Sequence, residues 1–177
     1  DTSERGFQKF ITNYLVTEQG FVETTPNEFD HEFCINTKQV MAFIEATQKD
    51  SYDMIQKKGE RSFLVRLDEK IKELGVVEVL RKGVKHFDKI IDLFYRKPSS
   101  SYNPKDATLY NTNLFSVIQE LVYSPSHKNR LDLTVFVNGI PIITLELKNL
   151  VSGGPQTVKD GIRQYKNDRD PKDKIFS

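Results

Sequence analysis

The stretch Arg130-Leu131-Asp132-Leu133-Thr134-Val135-Phe136-Val137-Asn138-Gly139-Ile140-Pro141-Ile142-Ile143-Thr144-Leu145-Glu146-Leu147-Lys148 decides how the chain is read. Asn-Gly flanked by β-branched and apolar residues is a strong short-range signal for a β-hairpin. The two strands are 131–137 and 141–148. Side chains alternate along a strand, so Glu146 and Lys148 share one face and Leu145 and Leu147 the other. A strict two-residue turn pairs Val137 with Ile140, and hence Asp132 with Leu145 and Thr134 with Ile143. Both faces then mix polar with apolar. A slip of one residue, through a three-residue loop or a bulge at Gly139, sorts them. Leu133 then meets Leu145, Val135 meets Ile143, Leu131 meets Leu147, Thr134 meets Thr144, and Asp132 meets Glu146.

That register sets two carboxylates opposite each other, which is unfavourable unless something neutralises them. A divalent cation does so. Two carboxylates, completed by water and substrate oxygens, suit the incomplete protein shell of Mg²⁺. A lysine beside the metal can orient or deprotonate a water, or stabilise charge that develops during attack. The pattern therefore points to metal-dependent phosphodiester hydrolysis. A half-exposed hairpin with solvated charges is the other reading of the same spacing.

Upstream of the hairpin the first ninety residues read as helical. Phe7, Phe10, Ile11, Tyr14 and Leu15 recur at helical spacing, and Gly20 stops the run. Val40, Met41, Phe43 and Ile44 form a second periodic run, with Thr37 as its cap. Further helices are expected over 49–58, 62–74 and 76–81, closed by Gly59 and Gly83. Residues 90–95 and 115–123 read as strands, and the serines and proline of 99–104 as a loop. Beyond the hairpin, Gly153-Gly154-Pro155 breaks the chain and 158–168 reads as a helix. Helices, then a largely antiparallel sheet, then a helix make an α+β fold, or α/β with a mixed sheet. One domain over 1–177 is expected, mainly helical over 1–83 and sheet-containing over 84–177.

Composition narrows the function. Twenty-six Lys and Arg against 25 Asp and Glu leave a formal charge of +1, so no globally basic surface argues for nucleic acid, although a local patch remains open. Cys34 is the only cysteine, which excludes an intrachain disulfide framework and a multi-cysteine zinc site and fits a reducing compartment. His31, His86 and His127 lack metal-ligand spacing. No apolar run approaches the ~20 residues needed to cross a bilayer, and no secretory signal is visible. The absent initiator Met and the stop after Ile175-Phe176 suggest a piece of a longer protein.

Asp132 followed by Glu146-Leu147-Lys148 at the end of the next strand resembles the motif of the PD-(D/E)xK nuclease superfamily. The wording from Arg130 to Pro141, with Leu145-Glu146-Leu147-Lys148-Asn149, is similar to one family within it: the N-terminal nuclease domain of the restriction subunit of type I restriction-modification enzymes. Ser3-Glu4 with the helix that follows, Phe43 to Gln48, and Arg163 to Pro171 agree with that resemblance. It implies a nuclease-like core, with a central mixed sheet carrying a catalytic hairpin, flanked by helices. It also implies Mg²⁺-dependent cleavage of unmodified duplex DNA in the cytoplasm of a bacterium or archaeon. The partners it implies are modification and specificity subunits and an ATP-driven motor domain in the same polypeptide. No Gly-x-x-x-x-Gly-Lys-Ser/Thr loop occurs here, so that motor and its ATP lie outside this chain. By the same resemblance Asp132 and Glu146 hold the metal, with the backbone carbonyl of Leu147 as a further ligand, and Lys148 serves the attacking water. Many relatives carry Gln four residues before the tyrosine of the following helix. Here Gly161 stands there, and Gln164 adjoins Tyr165.

Several residues keep two readings. Glu4 either supports the metal or simply suits a helix N-terminus. His127, Lys128 and Arg130 form a loop that either meets phosphate or is solvated. Tyr165 and Gln164 either contact the DNA backbone or pack. Leu93-Phe94-Tyr95 is core rather than a stacking platform on ordinary frequency. Three functional classes follow: the endonuclease domain, a catalytically silent docking module on the same fold, and a nuclease of another DNA-processing system.

Overall fold

The computed structural model describes residues 3–99, 104–148 and 158–176. Within them the order is α1 (Glu4–Gln19), β1 (Val22–Thr24), α2 (Thr37–Thr47), α3 (Lys49–Lys58), α4 (Glu60–Leu74), α5 (Val76–Lys82), β2 (Val84–His86) and β3 (Lys89–Ile91). There follow α6 (Pro104–Asn111), β4 (Phe115–Val122), β5 (Arg130–Val137), β6 (Ile140–Leu145) and α7 (Val158–Asp168). The main sheet runs β1-β4-β5-β6, with β1 parallel to β4 and the other pairs antiparallel; β2 and β3 form a separate ribbon. The fold is thus mixed α/β, as a nuclease-like α+β architecture requires.

Helix α1 begins where the Ser3 hydroxyl accepts the Gly6 N–H at 3.0 Å and ends at Gly20, whose left-handed φ of 72° closes the last turn. Its buried face differs from the expected one. Phe7, Phe10 and Tyr14 are exposed, whereas Gln8 and Thr12 are buried, alongside Ile11 and Leu15 packed on Val117, Leu133 and Leu147. Helix α2 is capped by Asn36, whose Oδ1 accepts the Gln39 N–H, and not by Thr37. The strand expected over 90–95 is only Lys89–Ile91, paired with Val84–His86. Pro104, expected in a loop, opens the helix α6, which the sequence reading did not assign.

The helical half closes on one apolar cluster that includes Val40, Ile44, Ile55, Phe63, Leu67 and Ile91, each fully enclosed. Burial of such a side chain contributes about 1.5–3 kcal/mol. Ile140 of β6 belongs to the same cluster, so the hairpin is anchored in the helices that precede it. A second cluster joins Phe29, Ile118, Leu121, Tyr123, Leu131 and Phe136, with Ile175 and Phe176 packed against it.

The hairpin reaches the sorted register by a different route from the expected one. Val137 pairs with Ile140 across a two-residue turn, with φ of 48° at Asn138 and 84° at Gly139, the signs of a type I′ turn. The extra residue comes later. Phe136 pairs with Pro141 but Val135 with Ile143, which leaves Ile142 as the bulge. Gly139 itself is not available for a bulge. Its carbonyl accepts the Asn36 N–H at 2.8 Å, and a Cβ there would lie 2.4 Å from the Asn36 oxygen. Beyond the bulge Leu133 meets Leu145 and Thr134 meets Thr144. The apolar side is not uniformly dry, because β6 is the sheet edge and leaves Ile143 about half exposed. Thr134, on the polar side, is fully buried.

Candidate active site

The register runs as far as the Leu133–Leu145 pair, next to Asp132 of β5 and to Glu146, the residue after β6. Two anchors fix Asp132. Gln8 of α1 donates its Nε2–H to the Asp132 carbonyl at 2.6 Å, and the Leu147 N–H donates to Asp132 Oδ2 at 2.5 Å. Opposite Asp132 on its other flank stands Glu120, held at a left-handed φ of 54°, an uncommon conformation outside glycine. Ile118 and Leu121, three residues apart, reach the same apolar cluster on either side of Glu120. Burial pushes the Asp132 carboxyl above its ordinary range. The Leu147 N–H works against this shift, the charges of Glu146 and Glu120 add to it, and Lys148 offsets a part.

Glu146 is held differently. Its side chain is 6% exposed. Oε2 accepts the Arg169 Nη2–H at 2.6 Å, and Oε1 lies 3.4 Å from Lys148 Nζ. Arg169, just past α7, also donates through Nη2 to the Arg130 carbonyl at 2.7 Å and through Nη1 to the Tyr123 hydroxyl at 3.3 Å. Its guanidinium lies 5.5 Å from the Tyr123 ring centre. The site is thus assembled from α1, β5, the end of β6 and the segment after α7.

Two clefts meet at this point and share Leu147. One, against α1, is lined by Glu4, Gln8, Lys9, Arg130 and Asp132. The other, against α7, is lined by Phe7, Glu146, Lys148, Gly161, Ile162 and Tyr165. Glu4 stands in the first turn of α1 and lines the same cleft as Asp132. At Gly161 an added Cβ would lie 3.7 Å from Lys148 Cγ, so this helix position abuts the lysine. Tyr165 is half-buried and donates its hydroxyl to Thr144 Oγ1 at 3.0 Å, and burial raises its phenol. The Gln164 side chain lies outside the described residues. Lys128 and Arg130 are exposed, with Arg130 Nη1 3.6 Å from Glu120. His127 is packed, its Nδ1 accepting the Asn129 N–H and its Nε2 lying 2.9 Å from Asp173 Oδ2.

Among the described residues no three His, Cys, Asp or Glu side chains group to hold a metal ion. The candidate donors are the carboxylates of Asp132 and Glu146, the Leu147 carbonyl named by the resemblance, and Glu4, which lines the cleft with Asp132. All are hard oxygens, few in number, and fit a cation that keeps several waters. Burial is the main cause of the raised Asp132 carboxyl, and the charge of Glu146 adds a smaller part. Gln8 and Arg169 are the site residues that sequence reasoning missed. Gln8 is a polar residue at a core-facing helix position, a usable signal. Arg169 sits within the charged run 166–174 and has none.

A family model described as type I restriction enzyme R protein N terminus matches residues 1–177. No curated protein and no solved structure matches the chain. No described helix is long and apolar enough to cross a membrane.

Proposed function

The chain belongs to the family of type I restriction enzyme R protein N termini, and from that premise we propose that it is the Mg²⁺-dependent endonuclease part of such a subunit. Its reaction is hydrolysis of a phosphodiester bond in unmodified duplex DNA, delivered by an ATP-driven motor domain outside this chain. The enzyme works in the cytoplasm of a bacterium or archaeon with modification and specificity subunits. The observation that carries the reading is the bulged register. It pairs Leu133 with Leu145, the neighbours of Asp132 and Glu146, and Lys148 Nζ lies 3.4 Å from Glu146 Oε1.

The chain's own residues divide the work. Asp132, Glu146 and the Leu147 carbonyl would hold Mg²⁺, with Glu4 on the rim. When bound, the cation supplies positive charge for the scissile phosphate and makes a water more acidic. Gln8 and the Leu147 N–H keep Asp132 in one orientation. Lys148 orients the attacking water and steadies negative charge as a P–O ester bond breaks. Lys128 and Arg130, exposed before Asp132, contact duplex phosphates, as cationic side chains do. Tyr165 and Gln164 serve the DNA backbone on the α7 side.

One observation favours the silent docking module. Both oxygens of Glu146 already have cationic neighbours, and no three-carboxylate group is present among the described residues. Calorimetric titration of the protein with Mg²⁺ or Mn²⁺, with and without DNA, separates the two. The nuclease reading expects weak binding that DNA strengthens and Glu146→Ala removes. Absence of Glu146-dependent binding in both conditions leaves the docking module.

A further inference from the structure

We propose that Arg169 is a positioning residue for Glu146, fixing which carboxylate oxygen faces the cleft beside Lys148. The inference rests on the nuclease reading and deepens it. The Arg169 side chain is only 7% exposed, a rare state for a guanidinium. It makes three directed hydrogen bonds, each to a different element: Glu146 after β6, the Arg130 carbonyl at the start of β5, and the Tyr123 hydroxyl after β4. The Tyr123 ring lies beside its plane. A planar guanidinium held by three elements has little rotational freedom, and Oε2 of Glu146 is tied to it.

Only Oε2 of Glu146 is taken by this fork; Oε1 points toward Lys148. The two oxygens therefore have different neighbours, Arg169 at Oε2 and Lys148 at Oε1. Arg169 Nη2 bonds both Glu146 and the carbonyl of Arg130, two residues before Asp132. The same guanidinium nitrogen thus ties the backbone beside one carboxylate to the side chain of the other. Its Nε–H is buried without a partner. The grip on Glu146 is accordingly single-point rather than a two-nitrogen fork, which leaves Oε1 uncommitted to Arg169.

Arg169 touches neither the scissile bond nor the attacking water in this account. It acts through Glu146, as an outer-shell partner orients a metal ligand. Loss of such a partner typically costs 10–100-fold in metal affinity. Charge alone predicts the opposite sign, because removal of a cation next to a metal site should tighten metal binding.

The test measures Mn²⁺ affinity by calorimetry in the full-length protein, comparing wild type, Arg169→Gln, Arg169→Lys and Glu146→Gln, each with its thermal melt. Positioning predicts at least about tenfold weaker binding in Arg169→Gln and an intermediate loss in Arg169→Lys, which keeps the charge but not the fork. DNA cleavage at saturating Mn²⁺ should follow the same order. Arg169→Lys retains the buried charge and carries the comparison if Arg169→Gln does not fold. Unchanged or tighter binding in the folded Arg169 variants, with loss in Glu146→Gln, overturns this inference alone. Wild-type affinity in Glu146→Gln removes the nuclease reading and this inference with it.

Discussion

Asn138 is buried at the tip of the hairpin, and its replacement separates two costs that are usually entangled. Its Nδ2 donates to the Leu93 carbonyl and to Asn113 Oδ1, both at 2.9 Å, and its Oδ1 accepts the Leu114 N–H at 2.7 Å. Its backbone φ is 48°. Asn138→Ala removes three hydrogen bonds, each contributing about 1 kcal/mol net. It also puts an alanine in the left-handed region, at about 1 kcal/mol more. The expected loss is about 4 kcal/mol, a large share of the ~5–15 kcal/mol that stabilises a typical domain. Asn138→Gly loses the same hydrogen bonds but accepts positive φ, so it should cost about 3 kcal/mol. Urea unfolding followed by circular dichroism reads both variants, provided the denaturant slope is unchanged. A loss below about 1 kcal/mol in Asn138→Ala would refute the hydrogen-bond argument. A glycine variant less stable than the alanine variant would refute the backbone argument.

Other outcomes follow from the site. Burial raises the Asp132 carboxyl, so folding disfavours its ionised form. The protonated carboxyl's contribution is complete below the unfolded pKa and is lost as pH rises through the folded one. Asp132→Asn should therefore gain Tm over wild type increasingly as pH rises from acid to neutral without divalent metal, and a Tm difference independent of pH would contradict this. Gly161→Ala should stabilise by about 0.5–1 kcal/mol, since its Cβ meets only ordinary contact with Lys148; a lower Tm would show that α7 lies closer to the lysine. Glu120→Gly should raise stability by up to about 1 kcal/mol by relieving a left-handed residue, because the exposed pair it loses with Arg130 contributes little. Thermal melts of the three variants check these values.

Much of the hairpin was legible because strand alternation has a fixed period of two. Any register that mixes Leu133 and Leu145 with carboxylates is disfavoured by alternation alone. The position of the bulge was not legible. The turn closes on Gly139, pressed against Asn36 about a hundred positions earlier, and the extra residue is Ile142. Helical spacing revealed α1 but not its inward face. Phe7, Phe10 and Tyr14 share the period with Ile11 and Leu15, yet Gln8 and Thr12 are the buried residues, and Gln8 reaches the Asp132 carbonyl. The three-residue strand β1 acquires its identity only from parallel pairing with Ser116, Val117 and Ile118. Arg169 becomes meaningful only when α7 returns the chain to Tyr123 and Glu146. A charged run read along the chain carries no record of which member is enclosed.

The central claim, that Asp132, Glu146 and Lys148 cut DNA, is tested most directly by the complete enzyme acting on unmodified duplex DNA with ATP and Mg²⁺. Cleavage and ATP hydrolysis are followed in the same reaction for wild type, Asp132→Ala and Lys148→Ala. Both variants should lose cleavage while ATP hydrolysis stays near the wild-type rate, because cutting and translocation would occupy different domains. Wild-type cleavage by either variant would contradict the role given to that residue, and wild-type cleavage by both would contradict the site.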